Sequence, residues 1–272
     1  MGKKIFIILK IIIAIVSLSG SILCKFNVCN ILQDWTDILF DICIGVFASM
    51  VLVFFIDEIS KHIQERQSRQ DELEYIKRFN NILELYIDQY IMMYYCVATP
   101  LKSRTFDNVK MPENFKIKDM SDLHEQTLLI NKGFFGSSVD GFLKVELILR
   151  NELISLIERY NFIYYPQFVK IFTEYIEASL NYDCREAIND SSHMMKNDDS
   201  YKKTIFYLME NDADNFYLKM KIGEQIFGNI VHPYIYLYEM MNLQRKTILD
   251  YRNEIVKTFE QITTKKKNKK RG

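Results

Sequence analysis

ILFDICIGVFASMVLVFFI, residues 38–56, holds one charged residue, Asp41, in nineteen positions. As a helix rising 1.5 Å per residue it reaches about 28 Å, close to the roughly 30 Å hydrocarbon core of a bilayer. A second such stretch precedes it: IFIILKIIIAIVSLSGSIL, residues 5–23, is interrupted only by Lys10. After Asp57 the chain is polar enough to sit in water. The pattern predicts an all-α protein: a two-helix N-terminal transmembrane hairpin, with spans about 5–23 and 38–56, followed by a cytoplasmic helical bundle.

The flanking charges orient the hairpin. Lys3 and Lys4 precede the first span, and Lys61, Arg66 and Arg69 follow the second, whereas the connection holds Lys25 against Asp34 and Asp37. Basic residues stay on the cytoplasmic side, so a multi-pass protein of the inner (plasma) membrane with both termini in the cytoplasm is expected, Trp35 lying at the outer interface. Ser17-Leu18-Ser19 offers a signal-peptide cleavage site as an alternative, but Lys10 interrupts the apolar region that such a peptide requires. The second span would hold the remainder on the cytoplasmic side either way.

Lys10 and Asp41 do not suit each other as an ion pair. Lys10 is about 8 Å from the inner end of its span and Asp41 about 5 Å from the outer end of the other. Each is expected to snorkel towards its own surface. Asp41, Gly45 and Ser49 recur every fourth residue and so form one narrow stripe. Small residues let helices approach closely in lipid. Ser17/Ser21 and Gly20/Cys24 have the same spacing in the first span. Two uses are open for Asp41, Gly45 and Ser49: packing of the two spans on each other, or a self-association face lining a polar path.

Charge is uneven. The whole chain is neutral, but Asp57 to Thr264 carries 25 Lys/Arg against 32 Asp/Glu, a net of −7. An acidic body argues against nucleic acid as a partner. Lys265, Lys266, Lys267, Lys269, Lys270 and Arg271 form a basic tail, residues 265–272, suited either to anionic lipid or to a solvated end. The five cysteines follow no metal pattern. Cys24 and Cys29 share the outer loop and are able to pair in an oxidising compartment, while Cys96 and Cys184 read as buried thiols.

Apolar residues of the soluble part recur at three and four, with no clean strand alternation. The second span continues as a polar helical stalk, residues 57–75, and then into a helical domain, residues 76–264. Ile76, Phe79, Leu83, Tyr86, Tyr90, Met93 and Val97 form a three-heptad coiled-coil-like seam ending before Pro100. Ile82, Leu85, Ile87 and Ile91 widen the apolar surface, so a bundle is expected rather than a two-stranded coiled coil. Residues 100–118 read as a flexible insertion. Further helices are expected from near Ser121, over 139–164, from Pro166 to about Leu180, over 201–227 and over 233–262. Residues 189–200 read as a polar break. Asn131 to Ser138, two glycines around two phenylalanines, reads as a core-docking turn, with a hinge or exposed aromatic tip as the alternative.

No catalytic signature follows. His62, His124, His193 and His232 are far apart and lack zinc-site spacing. Glu186, Asp190, His193, Asp198 and Asp199 cluster in sequence but read as polar helix ends. Phosphate-binding glycine loops and nucleophile elbows are absent from the sequence. No enzyme activity, catalytic residue, metal or cofactor is expected. Tyr86, Tyr90, Tyr94, Tyr95, Tyr164, Tyr165, Tyr234, Tyr236 and Tyr238 suit a packed core, or an aromatic pocket for a ligand. In layout, not in residues, the chain is similar to membrane effectors of bacterial anti-phage systems, in which a sensing event releases a membrane-perturbing protein. That resemblance implies a non-enzymatic effector: its helical domain binds a cytoplasmic protein or signal, and its spans form a homo-oligomer in the membrane. An inert membrane-anchored scaffold and a ligand sensor are the other readings.

Overall fold

A computed structural model describes residues 2–25, 33–105, 107, 109–127, 136–223 and 230–269, with side chains left undescribed at 2–9, 33–36 and 261–269. The described residues are helical without a β-strand; Gln126 and Ser137 form one isolated bridge. Eight α-helices follow in order: α1 (Gly2–Lys25), α2 (Gln33–Ala98), α3 (Ser138–Arg159), α4 (Pro166–Asn181), α5 (Arg185–Asn197), α6 (Asp199–Asn211), α7 (Ala213–Lys221) and α8 (His232–Lys269). Short 3-10 turns cover Leu101–Ser103 and Ile117–Met120. Packing divides the chain into two compact units, Met1–Glu74 and Tyr75–Gly272.

In the first unit, α2 is long and apolar enough to cross a membrane, and none of its most apolar window is buried within the structure. Leu52, Phe55 and Ile56 are exposed, as are Ile15 and Val16 of α1. From Asp57 to Arg69 every residue of α2 is exposed. The Lys10 ammonium donates to the Asp57 carboxylate at 2.5 Å. That is the depth match expected if Lys10 sits near the end of α1's apolar stretch that neighbours Asp57. The Lys10 hydrogen bond holds the Asp57 carboxyl below its usual range.

The second unit is built on the seam of α2. Ile76, Phe79, Leu83, Tyr90, Met93 and Val97 are buried and Tyr86 half-buried, while Ile82 and Leu85 face outward and Ile87 and Ile91 join the core. Three helices surround the seam, α3 and α8 antiparallel to α2 and α4 parallel to it. Tyr75 meets Tyr160 and Tyr90 meets Phe142 along α3. Tyr90 meets Tyr175 of α4 at 5.9 Å between ring centroids. On α8, Gln244 pairs with Tyr90, Tyr251 with Asn80, and Arg252 with Glu84 and Asp88. Phe168 and Phe172 of α4 close the layer against Tyr251. Helix boundaries have local causes: Pro166 occupies the first turn of α4, the Ser137 hydroxyl accepts from Asp140 N–H to open α3, and Asp198 caps α6.

Several expectations are corrected. Residues 189–200 are not a break, because α5 runs to Asn197 and buries Ile188, Ser191 and Met195 at helical spacing. Its inward face holds so few apolar residues that composition hides the helix. The expected helix over 201–227 is divided at Asp212 into α6 and α7. α3 stops at Arg159, since Tyr160 is extended, and Phe162 rather than Ile163 turns inward. No helix starts at Ser121, which instead closes a 3-10 turn. Residues 100–118 are not a loose insertion, because Met111, Phe115 and Ile117 enter the core and Phe115 stacks edge-on against Tyr94 and Tyr238. Cys29, residues 131–135, Lys270 and Arg271 lie outside the described residues, as does the side chain of Trp35.

Leu83 is 2% exposed in the middle of the seam. Leu83→Ala should destabilise the Tyr75–Gly272 unit by about 2–5 kcal/mol through lost burial and the cavity left behind. Denaturant unfolding of the full chain in detergent measures this, and a loss under about 0.5 kcal/mol would contradict a packed seam.

Candidate functional site

Asp41, Gly45 and Ser49 are all exposed on α2. The half-buried positions are Phe40, Cys43, Phe47, Met50 and Phe54, a different face with alternating spacings of three and four. α1 answers that face with small residues. Ser17 and Ser21 are buried, and their hydroxyls donate to the Ala14 and Ser17 carbonyls within α1, so neither is left unpaired in apolar surroundings. A Cβ placed on Gly20 would stand 3.0 Å from Cys43 Sγ, which marks a close approach of the two helices. A Cβ on Gly45 would meet nothing within 4 Å. Packing between α1 and α2 therefore uses the small residues of α1 and leaves the Asp41, Gly45 and Ser49 stripe open.

The second unit holds two polar clusters that the sequence reading missed. Glu146, fully buried on α3, accepts from Gln244 Nε2 at 2.8 Å and from Arg185. Gln244 in turn accepts from the Tyr90 hydroxyl at 2.9 Å. Four helices, α2, α3, α5 and α8, thus meet at one carboxylate. Glu146 lies between Phe142 and Leu149 on the buried stripe of α3 and Gln244 between Met241 and Ile248 on α8. A polar residue inside an apolar helical stripe was the signal available. Breaking such a buried pair from one side typically costs about 3–5 kcal/mol, because the survivor keeps a charge without water.

The other cluster centres on His124. Its Nε2 lies 2.8 Å from the Tyr234 hydroxyl and its Nδ1 2.8 Å from Ser192 Oγ. Ser191 Oγ is 2.6 Å from the same Tyr234 hydroxyl. A serine beside a histidine invites a nucleophilic reading, but Ser192 also donates to the Ile188 carbonyl from inside α5. Backbone N–H groups there are engaged in the helix and present no oxyanion donors. The arrangement ties the turn at residues 121–125 to α5 and α8. A third tie is Arg104, whose side chain is fully buried and donates to the Thr99 carbonyl, Ser138 Oγ and Asp122.

The aromatic residues are core. Tyr90, Tyr94, Tyr175 and Tyr234 are fully buried; the first three stack on one another or on phenylalanines, and Tyr234 packs edge-on against His124. A cavity between α2, α3, α4 and α8, lined by Leu83, Leu153, Phe172 and Tyr251 among others, measures about 20 Å³. This cavity is far smaller than the roughly 300–1,000 Å³ of ligand sites. Burial pushes the Cys184 thiol up to about 12 and raises Cys96, so both are protonated at neutral pH. Among the described residues no three His, Cys, Asp or Glu gather as a metal set. Glu186, Asp190 and His193 fall on the outer side of α5. α8 is helical through Lys269, so Lys265, Lys266, Lys267 and Lys269 lie in its last turns. No protein-family model, curated protein or solved structure matches the chain.

Burial holds the His124 imidazole down at about 4, against the opposing charges of Asp140 and Glu125. The unfolded imidazole, at 6.5, takes up a proton that the folded one refuses. Folding stability should therefore fall as pH drops from about 6.5 towards 4. His124→Gln should flatten that part of the stability–pH profile in thermal unfolding. Profiles that stay parallel would assign the slope to other groups.

Proposed function

We propose that this chain is a non-enzymatic membrane-anchored effector. α1 and the start of α2 form a transmembrane hairpin in the plasma membrane, both termini face the cytoplasm, and the Tyr75–Gly272 unit receives a protein or signal there. The hairpin self-associates through Asp41, Gly45 and Ser49 and so perturbs the membrane, in the manner of the anti-phage effectors whose layout it shares. The observation that carries this reading is the open stripe. α1 and α2 satisfy each other on other faces, and a carboxylate with two small residues remains on a surface otherwise made of exposed Ile, Leu, Val and Phe. In lipid, such a stripe is covered most favourably by another helix, because small residues admit close backbone approach and an acid is costly against acyl chains.

Expression of the full chain, with its genomic neighbours, tests the reading. Wild type should depolarise cells or slow growth once triggered. Gly45→Leu should abolish this at unchanged protein level, and Asp41→Asn should weaken it. An inert scaffold predicts no effect of either substitution and no depolarisation by wild type, even under phage challenge.

The orientation has its own check. A reporter that works only in the cytoplasm, fused after Gly272, should be active, because the basic flanks Lys3, Lys4, Lys61, Arg66 and Arg69 hold both ends inside. Activity only of a periplasmic reporter at the same place would reverse the topology.

A further inference from the structure

The direction of α8 gives the basic tail a place. As α8 advances from Gln244 to Tyr251 and Arg252, its partners on α2 step back from Tyr90 to Asn80 and Glu84. The two helices are antiparallel, so the C-terminal end of α8 leaves the bundle at the Tyr75 end, where the chain arrives from the apolar stretch of α2. Thr258 is buried and Phe259 packs against the core. The α8 backbone stays helical for ten further residues, about 15 Å, to Lys269. Tyr75 itself is at most about 28 Å of helix from Ile56, whatever the angle between the two units.

We propose that the basic residues at and after this end of α8, Lys265, Lys266, Lys267, Lys269, Lys270 and Arg271, bind the anionic phosphate groups of phospholipid headgroups on the cytoplasmic leaflet. The proposal rests on the membrane anchoring argued above and adds a second, electrostatic attachment to it. Six cations occur within seven residues, with no acid after Glu260. Such segments gain from each cation near an anionic surface, over a range set by the roughly 8–10 Å Debye length. Attachment to the same chain as the spans confines the tail to the neighbourhood of the membrane, which raises its effective concentration there. Had α8 run parallel to α2, the same tail would leave the bundle at the Pro100 end, remote in chain length from the span.

The test uses the full chain in nanodiscs of phosphatidylcholine, alone or mixed with phosphatidylglycerol in equal parts. Trypsin cleavage within residues 265–271 is followed by mass spectrometry. Cleavage should be about tenfold slower in the anionic discs, and the difference should vanish at high salt. Inorganic phosphate should do no more than chloride at matched ionic strength. Replacing the five tail lysines by arginine should preserve the protection, because charge rather than residue identity carries it. Equal rates in both discs overturn the proposal: equally fast cleavage means a tail free in solvent, and equally slow cleavage means pairing with the chain's own acids. Loss of protection in phosphate but not in matched chloride overturns it in favour of a free-anion site. A chain that stays in neither disc, and is stripped from cell membranes by alkaline carbonate, refutes the anchoring itself, which is a separate result.

Discussion

Burial of the α2 seam between Ile76 and Val97 is the constraint on which the second unit depends. A helix with Phe79, Leu83, Tyr90 and Tyr94 along one side cannot remain solvated on that side, since each such side chain contributes about 1.5–3 kcal/mol when removed from water. α3, α4 and α8 each meet it through aromatic edges or hydrogen bonds, and the short link from α3 to Pro166 makes two of them antiparallel neighbours. α5, α6 and α7 then cover what those four helices leave open. Ile188, Ile205 and Ala213 are buried although the helices that carry them are polar over most of their length.

Inside this apolar frame the polar groups fix registry. Hydrophobic contact alone permits helices to slide, whereas the Glu146 carboxylate is satisfied only when Gln244, Arg185 and, through Gln244, Tyr90 stand in one arrangement. His124, Ser191, Ser192 and Tyr234 do the same for the turn at residues 121–125. Arg252 bridges Glu84 and Asp88 at the outer edge, where solvent screening leaves it a smaller contribution. The buried clusters therefore bear on uniqueness of the fold more than on its gross stability.

Under the proposed membrane anchoring, the first unit follows a different physics. Between lipid-facing helices there is no hydrophobic drive to associate, so close backbone approach and polar contacts must supply it. Gly20 of α1 supplies the close approach, at Cys43 of α2, while the buried Ser17 and Ser21 hydroxyls bond within α1. The face left open is the one bearing Asp41, and the proposed effector activity depends on what covers it.

The sequence by itself determined the elements whose pattern is strong: the apolar stretch of residues 38–56, its continuation into a seam ending before Pro100, the start of α4 at Pro166 and the apolar stripe of α8. Each is a run of one-dimensional periodicity, and a helix needs nothing more to be recognised. Tertiary structure decided the rest. Whether residues 189–197 are helix, whether Phe115 enters the core, which small residues of the spans meet each other and which way α8 runs all depend on partners distant in sequence. Glu146 shows why most clearly. Its place within an apolar stripe was visible, but the groups that allow a buried carboxylate to stand there come from three other helices, and only the fold brings them together.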